Sequence, residues 1–190
     1  MTLLAWRATR SFSPWTGKRF DPVDRARLAE LTDGHEAGDV PTFLCANTVV
    51  FRTPRERMTR ALMAAADLWI EDASPAERDA CGYDAKTFFF IGKPAASIAP
   101  DNHGKRVFQL NYRWKKLRNP PPDCLCIDEI VQIASGLYLG QVFYANDVIT
   151  PWSPAIDPAV YRYRLYEYFV VMDSEWQAER LRIGFDLDNV

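Results

Sequence analysis

Histidine is nearly missing from this chain, and with it most of the chemistry that relies on an imidazole. The two present, His35 and His103, fall in polar turn segments at 34–41 and 101–104, where an exposed loop histidine is expected rather than a catalytic base. Cysteine is also sparse. Cys45, Cys81, Cys124 and Cys126 lack the paired spacing of a zinc site, so no metal is expected, and they read as reduced, half-buried thiols. There is no apolar run of ~18 residues, the length that spans a bilayer. The first seven residues lack the basic start and apolar core of a secretory signal. A cytoplasmic protein without integral membrane association is therefore the expectation. A net charge of -2 is not the basic excess of a nucleic-acid binder. The glycines at 92, 104, 136, 140 and 184 form no phosphate loop, and no other cofactor signature appears, so none is expected.

What the chain does contain is material for one core. With 190 residues, 48% of them hydrophobic and 25% charged, it has the size and proportions of a globular domain, read here as a single unit over 1–190. Its clearest stretch runs from Asp123 to Ala145, where two β-rich runs flank Ala134-Ser135-Gly136. This reads as a central hairpin closed by a three-residue turn with a bulge. The expected register sets Ile133 against Leu137, Val131 against Leu139, Glu129 against Gln141, Ile127 against Phe143 and Leu125 against Ala145 on one side. That side is apolar except for Glu129 and Gln141. The other carries Cys124, Cys126, Asp128, Ile130 and Gln132 beside Tyr138, Gly140, Val142 and Tyr144, and is mixed.

Alternation and capping place the remaining elements. A loop or short edge strand is expected over 15–20 and a helix over 22–32, with Asp21 as its cap. A strand follows over 43–52. The next helix, over 54–71, carries Met58, Ala61, Leu62, Ala65, Leu68 and Trp69 as one stripe laid on a sheet. Ser74-Pro75-Ala76-Glu77 is a capping box opening a short helix to Cys81, stopped by Gly82. Strands are expected over 86–91, 106–114 and 161–172, a proline-stiffened loop over 150–158, and a last helix capped by Asp173-Ser174. Phe88, Phe89 and Phe90 in succession require both faces of their strand to be covered. The sum is a mainly β, α+β fold: an antiparallel β-barrel or strongly curved sheet with about three or four peripheral helices.

Three features, the opening Trp-x-Gly-Lys-x-Phe of Trp15 to Phe20, the segment Asp128-Glu129-Ile130 followed by Gly136-Leu137-Tyr138-Leu139-Gly140, and the closing aromatic strand, resemble small calycin-type, lipocalin-like barrel proteins. The chain departs from lipocalins in reversing their Gly-x-Trp order as Trp15-Thr16-Gly17. The resemblance implies a calycin-like fold with a cavity for a hydrophobic small molecule.

The residues point to such a cavity in their own right. Tyr112, Trp114, Leu139, Gln141, Phe143, Tyr163 and Phe169 are the expected ligand-binding residues, supplying apolar walls and a polar contact for a hydrophobic or amphipathic molecule. Glu129 and Glu167, buried carboxyls among those walls, are the candidate general acid and base if the protein is an enzyme acting without a cofactor as an isomerase, cyclase or lyase. A third reading is an interaction module, a homodimer pairing aromatic strand edges. The basic run Arg113-Trp114-Lys115-Lys116-Leu117-Arg118 interleaves cations with aromatic surface, yet is short in a net acidic chain, so no nucleic-acid partner is expected.

Overall fold

A computed structural model describes residues 15–36, 38–102, 104–145 and 163–184. The expected loop over 150–158, Tyr161 and His103 lie outside these residues. Seven strands pair in the order β1, β2, β4, β5, β6, β7, β8, every pair antiparallel, and a two-residue β3 pairs with β4. In chain order they are β1 Trp15–Pro22, β2 Phe43–Val49, β3 Glu71–Asp72, β4 Ala85–Ala96, β5 Arg106–Asn111, β6 Cys126–Ala134, β7 Leu137–Ala145 and β8 Tyr163–Met172. Four helices accompany them: α1 Arg25–Leu31, α2 Pro54–Ala65, α3 Pro75–Cys81 and α4 Ser174–Arg182. The protein is mainly antiparallel β, its sheet strongly curled into a half-barrel.

Reach shows how tightly the sheet curls. β6 lies four strands from β1, about 19 Å away in a flat sheet at ~4.8 Å per strand. A lysine side chain cannot bridge that gap, yet Lys18 Nζ on β1 is 3.1 Å from Asp128 Oδ2 on β6. Side chains of the concave face accordingly meet in one cluster drawn from all seven strands of the path, including Phe20, Cys45, Phe90, Leu110, Tyr112, Cys126, Val142 and Phe169.

The central hairpin has the register that alternation dictates, with Val131 opposite Leu139, Glu129 opposite Gln141 and Ile127 opposite Phe143. Its two ends differ from expectation. Ala134 pairs with Leu137 after an irregularity at Ile133, which leaves Ser135-Gly136 as the turn, with Gly136 at φ 71°. Leu125 belongs to a one-turn 3-10 helix, Asp123–Leu125, that leads into β6. α4 docks on the hairpin tip, where Asp173 N–H donates to the Gly136 carbonyl and Trp176 Nε1 to that of Ser135.

The phenylalanine triplet is resolved by a bulge. Cys45 faces Phe90 while Asn47 faces Thr87, so two residues of β4 oppose one of β2, and Phe88 takes φ 47°. Phe88 and Phe90 turn to the concave face; Phe89 turns outward to Leu28, Leu31, Ala46, Trp114 and Leu117, the cluster beneath α1.

The helices follow their caps. α1 starts later than expected because Asp24, not Asp21, accepts from Arg27 N–H. α2 stops at Ala65 and the chain turns through Asp67 at φ 56°. The helix is therefore not laid along a sheet: Met58 and Leu62 are 67% and 66% exposed, while Met63 leans on Val49, Phe51 and Ala85. Leu68 and Trp69 are reached only after the turn, and Trp69 stacks on Phe89 at 3.9 Å between ring centroids. α3 begins with its capping box, Ser74 accepting from Glu77 N–H and Glu77 from Ser74 N–H. Ser74→Ala is expected to cost about 1 kcal/mol in a urea unfolding titration.

Candidate functional site

The concave face holds a cavity of about 420 Å³. Two of its lining groups, Lys18 and Asp128, are buried and charged. Lys18 stands opposite Asn47 in the β1–β2 ladder and points across the curl. Its ammonium has three N–H bonds and three acceptors: Asn47 Oδ1 at 3.0 Å, Tyr112 OH at 2.6 Å and Asp128 Oδ2 at 3.1 Å. Tyr112 OH donates in turn to Asp128 Oδ2 at 3.1 Å, and Cys126 Sγ donates to Asp128 Oδ1 at 3.1 Å. The Lys18 and Asp128 side chains are only 5% and 4% exposed. The rings of Phe90 and Phe169 lie 5.0 Å from Nζ, with Tyr112 and Trp15 at 5.4 and 5.8 Å. These contacts satisfy the lysine within the protein and stitch the edge strand to the middle of the sheet.

The same cavity carries carboxyl groups with a different environment. Asp123, on the turn before β6, and Glu167, on β8, both line it, together with Phe88, Val142, Tyr144 and Phe169. Among the described residues neither carboxyl has a cation at ion-pair distance. Burial pushes the Asp123 carboxyl up to about 6, and it also raises Glu167, with the Asp128 charge adding to the effect and Lys18 opposing it. Burial likewise raises the Tyr144 and Tyr112 phenols and the Cys126 thiol, so these three remain protonated hydrogen-bond donors.

The Asp123 shift has a stability consequence. Its folded form holds the proton more tightly than the unfolded chain does, so the contribution is complete below about pH 4 and is lost as pH rises through about 6. Asp123→Asn is expected to match the parent near pH 4. At about pH 7.5 it should exceed the parent by about 1 to 2 kcal/mol, after allowance for partial contact with solvent, as read from urea titrations at the two pH values.

Of the residues named from the sequence, Tyr112, Glu167 and Phe169 come together at this cavity. Glu129 does not join them. It points outward from β6, where Ser97 Oγ and Ile98 N–H each donate to it at 2.6 Å, fastening the 97–99 segment over the sheet. The expected pairing of Glu129 with Glu167 is therefore not formed, and the carboxyl that shares the cavity lining with Glu167 on the turn before β6 is Asp123. Phe143 and Tyr163 also face outward, packed with Ile98, Ala99 and Ile127. Trp114 lies beyond the end of β5, in the core beneath α1. Leu139 and Gln141 share the outward hairpin face with Val131 and Glu129. The reason is common to all of these. Alternation identifies which side chains share a face, but the more apolar hairpin face is the outer one, covered by the 97–99 segment at Ile127 and Phe143 and exposed at Val131 and Ile133, whereas the mixed face is concave.

β8 crosses between the two sides. Val142 pairs with Glu167 but Phe143 pairs with Leu165, so an extra residue at Tyr166 turns Glu167 and Phe169 inward and leaves Tyr163 and Leu165 outward. Lys18, Asn47, Asp123 and Asp128 were missed by sequence reasoning. The available signal was the mixed face itself, with Cys126 and Asp128 beside Gly140, Val142 and Tyr144.

The basic run 113–118 borders a separate surface cleft with Arg27, Glu30, Asp33 and Trp69. Two of its cations are matched locally, Lys116 to Asp33 at 2.7 Å and Arg118 to Asp67 at 3.0 Å. No group of His, Cys, Asp and Glu that could hold a metal ion occurs among the described residues, and no described helix is long and apolar enough to cross a membrane. Compared with protein-family models, curated proteins and solved structures, the chain matches none.

Proposed function

We propose that the protein binds a hydrophobic or amphipathic small molecule in the concave cavity. The observation that carries this reading is the cavity itself: about 420 Å³, walled by Phe88, Val142, Tyr144 and Phe169, with Lys18, Asn47, Tyr112 and Asp128 bonded to one another at one side and Asp123 and Glu167 as further polar groups. Apolar walls with few convergent polar groups are the usual form of a small-molecule site. The resemblance to calycin-type barrels supports the same reading.

Native mass spectrometry of the purified protein, followed by solvent extraction, tests it. The expected result is a stoichiometric apolar adduct lost on denaturation, or uptake of an added apolar probe that Phe169→Ala weakens. A protein that carries no adduct and takes up no probe would overturn the reading.

A second reading is supported by the two half-buried carboxyls of the cavity. Asp123 and Glu167 sit in one cavity with their proton affinities raised toward neutrality, the condition for general acid and base groups working near pH 7. A cofactor-independent isomerase, cyclase or lyase would use them so. Glu167→Gln would then abolish turnover of the extracted compound while the variant still bound it.

A further inference from the structure

The charge of the ligand follows from how the cavity's own charges are already paired. This step rests on the cavity's being a binding site. Among the described residues Lys18 is the cation lining it, and all three of its N–H bonds are directed at Asn47, Tyr112 and Asp128. An anionic ligand would find no vacant cationic donor among these residues without breaking the stitch that closes the curl. It would also approach the Asp123 and Glu167 carboxyls and the Asp128 charge behind them. Aromatic rings add to the asymmetry: Lys18 Nζ lies over the rings of Trp15 and Phe169, which line the cavity, so their faces present negative quadrupole to a cation there. Lys18 demonstrates the preference internally, its ammonium lying within 5.8 Å of four ring centroids.

We infer that the cavity takes an amphipathic amine: a protonated nitrogen drawn to the Glu167 or Asp123 carboxyl and the aromatic rings, with the apolar body against Phe88, Val142 and Phe169. Neutral and anionic molecules of the same shape are the competitors that this arrangement rejects. Among the described residues neither carboxyl has a side-chain hydrogen-bond donor, and an ammonium supplies donors and the opposite charge.

Three probes of one shape test the inference: naphthylethylamine, naphthylethanol and naphthylacetate, each titrated into the full chain by calorimetry at about pH 7.5. The amine is expected to bind about tenfold more tightly than the alcohol and the acetate more weakly than either. In Glu167→Gln, with folding checked by circular dichroism, the amine-to-alcohol ratio should fall several-fold; Asp123→Asn gives a second, independent reading of that ratio. Equal affinity for amine and alcohol, or tighter binding of the acetate, would overturn the amine assignment while leaving the cavity as a binding site. Failure of all three to bind, together with a bare mass in the native spectrum, would overturn the binding site and the assignment together.

Discussion

Replacing Lys18 with methionine is expected to destabilise the fold by about 3 to 5 kcal/mol, the usual cost of removing one partner of a buried ion pair. The cost arises at Asp128. Its carboxylate is 4% exposed and would keep only the Tyr112 hydroxyl and the Cys126 thiol as donors. Asn47 and Tyr112 would lose a donor as well. Against a total stability of about 5 to 15 kcal/mol for a domain, such a loss brings the variant near its unfolding threshold at room temperature. Urea titration of the parent and of Lys18→Met gives the difference directly. The double variant Lys18→Met, Asp128→Asn removes both charges and is expected to recover a substantial part of the loss, because an uncompensated carboxylate costs far more to bury than a neutral amide. A loss under about 1 kcal/mol for the single variant would mean that Lys18 behaves as an exposed side chain, and that the curl is held by apolar packing alone.

The Lys18–Asp128 contact also marks the boundary of what the sequence discloses. It joins residues 110 positions apart, and nothing local to Trp15–Pro22 or to Cys126–Ala134 announces it. By contrast, features set by neighbours in the chain were legible. The capping box at Ser74 is a local hydrogen-bond pattern, and α3 begins there. The Glu129–Gln141 and Ile127–Phe143 pairs follow from side-chain alternation and a tight turn, and both are present. The fold class was legible for the same reason, since short alternating segments separated by turn residues are antiparallel strands wherever they occur. Which face of those strands would become the inside was not. Curvature is fixed by bulges at Phe88 and at Tyr166, and each bulge is defined by pairing with a distant strand. Glu167 and Phe169 were identified as cavity residues and lie there, yet Tyr163 on the same expected face lies outside, because one inserted residue exchanges the two sides. For Met58 and Leu62 the failure was of another kind. A stripe of apolar residues at helical spacing records what a helix can cover, and the turn at Asp67 removes the sheet from its reach.

Gly140→Ala is the other substitution with a large expected effect, and it acts on the cavity wall. Gly140 stands directly opposite Phe169 in the β7–β8 ladder, and the tip of the aromatic ring occupies the space that a Cβ at the glycine would take. A Cβ at residue 140 would sit 2.3, 2.5 and 2.6 Å from three atoms of that ring. No real contact is that short, so the ring must leave. A glycine covered by a cross-strand aromatic is a recurrent device for sealing a sheet that lacks a side chain at one point. Here the ring seals the sheet and also lines the cavity, 5.0 Å from Lys18 Nζ. Displacing it is expected to cost about 2 to 3 kcal/mol, at the upper end of the range for overpacking, and to weaken an apolar probe at least tenfold by opening the wall. The two effects separate in a second variant. Gly140→Ala combined with Phe169→Ala relieves the clash, so its stability should fall no further than that of Phe169→Ala alone, while probe binding should stay weak because no ring remains. Probe binding that survives in both variants would place the ligand away from Phe169, and a Gly140→Ala protein as stable as the parent would show that the ring does not rest on β7.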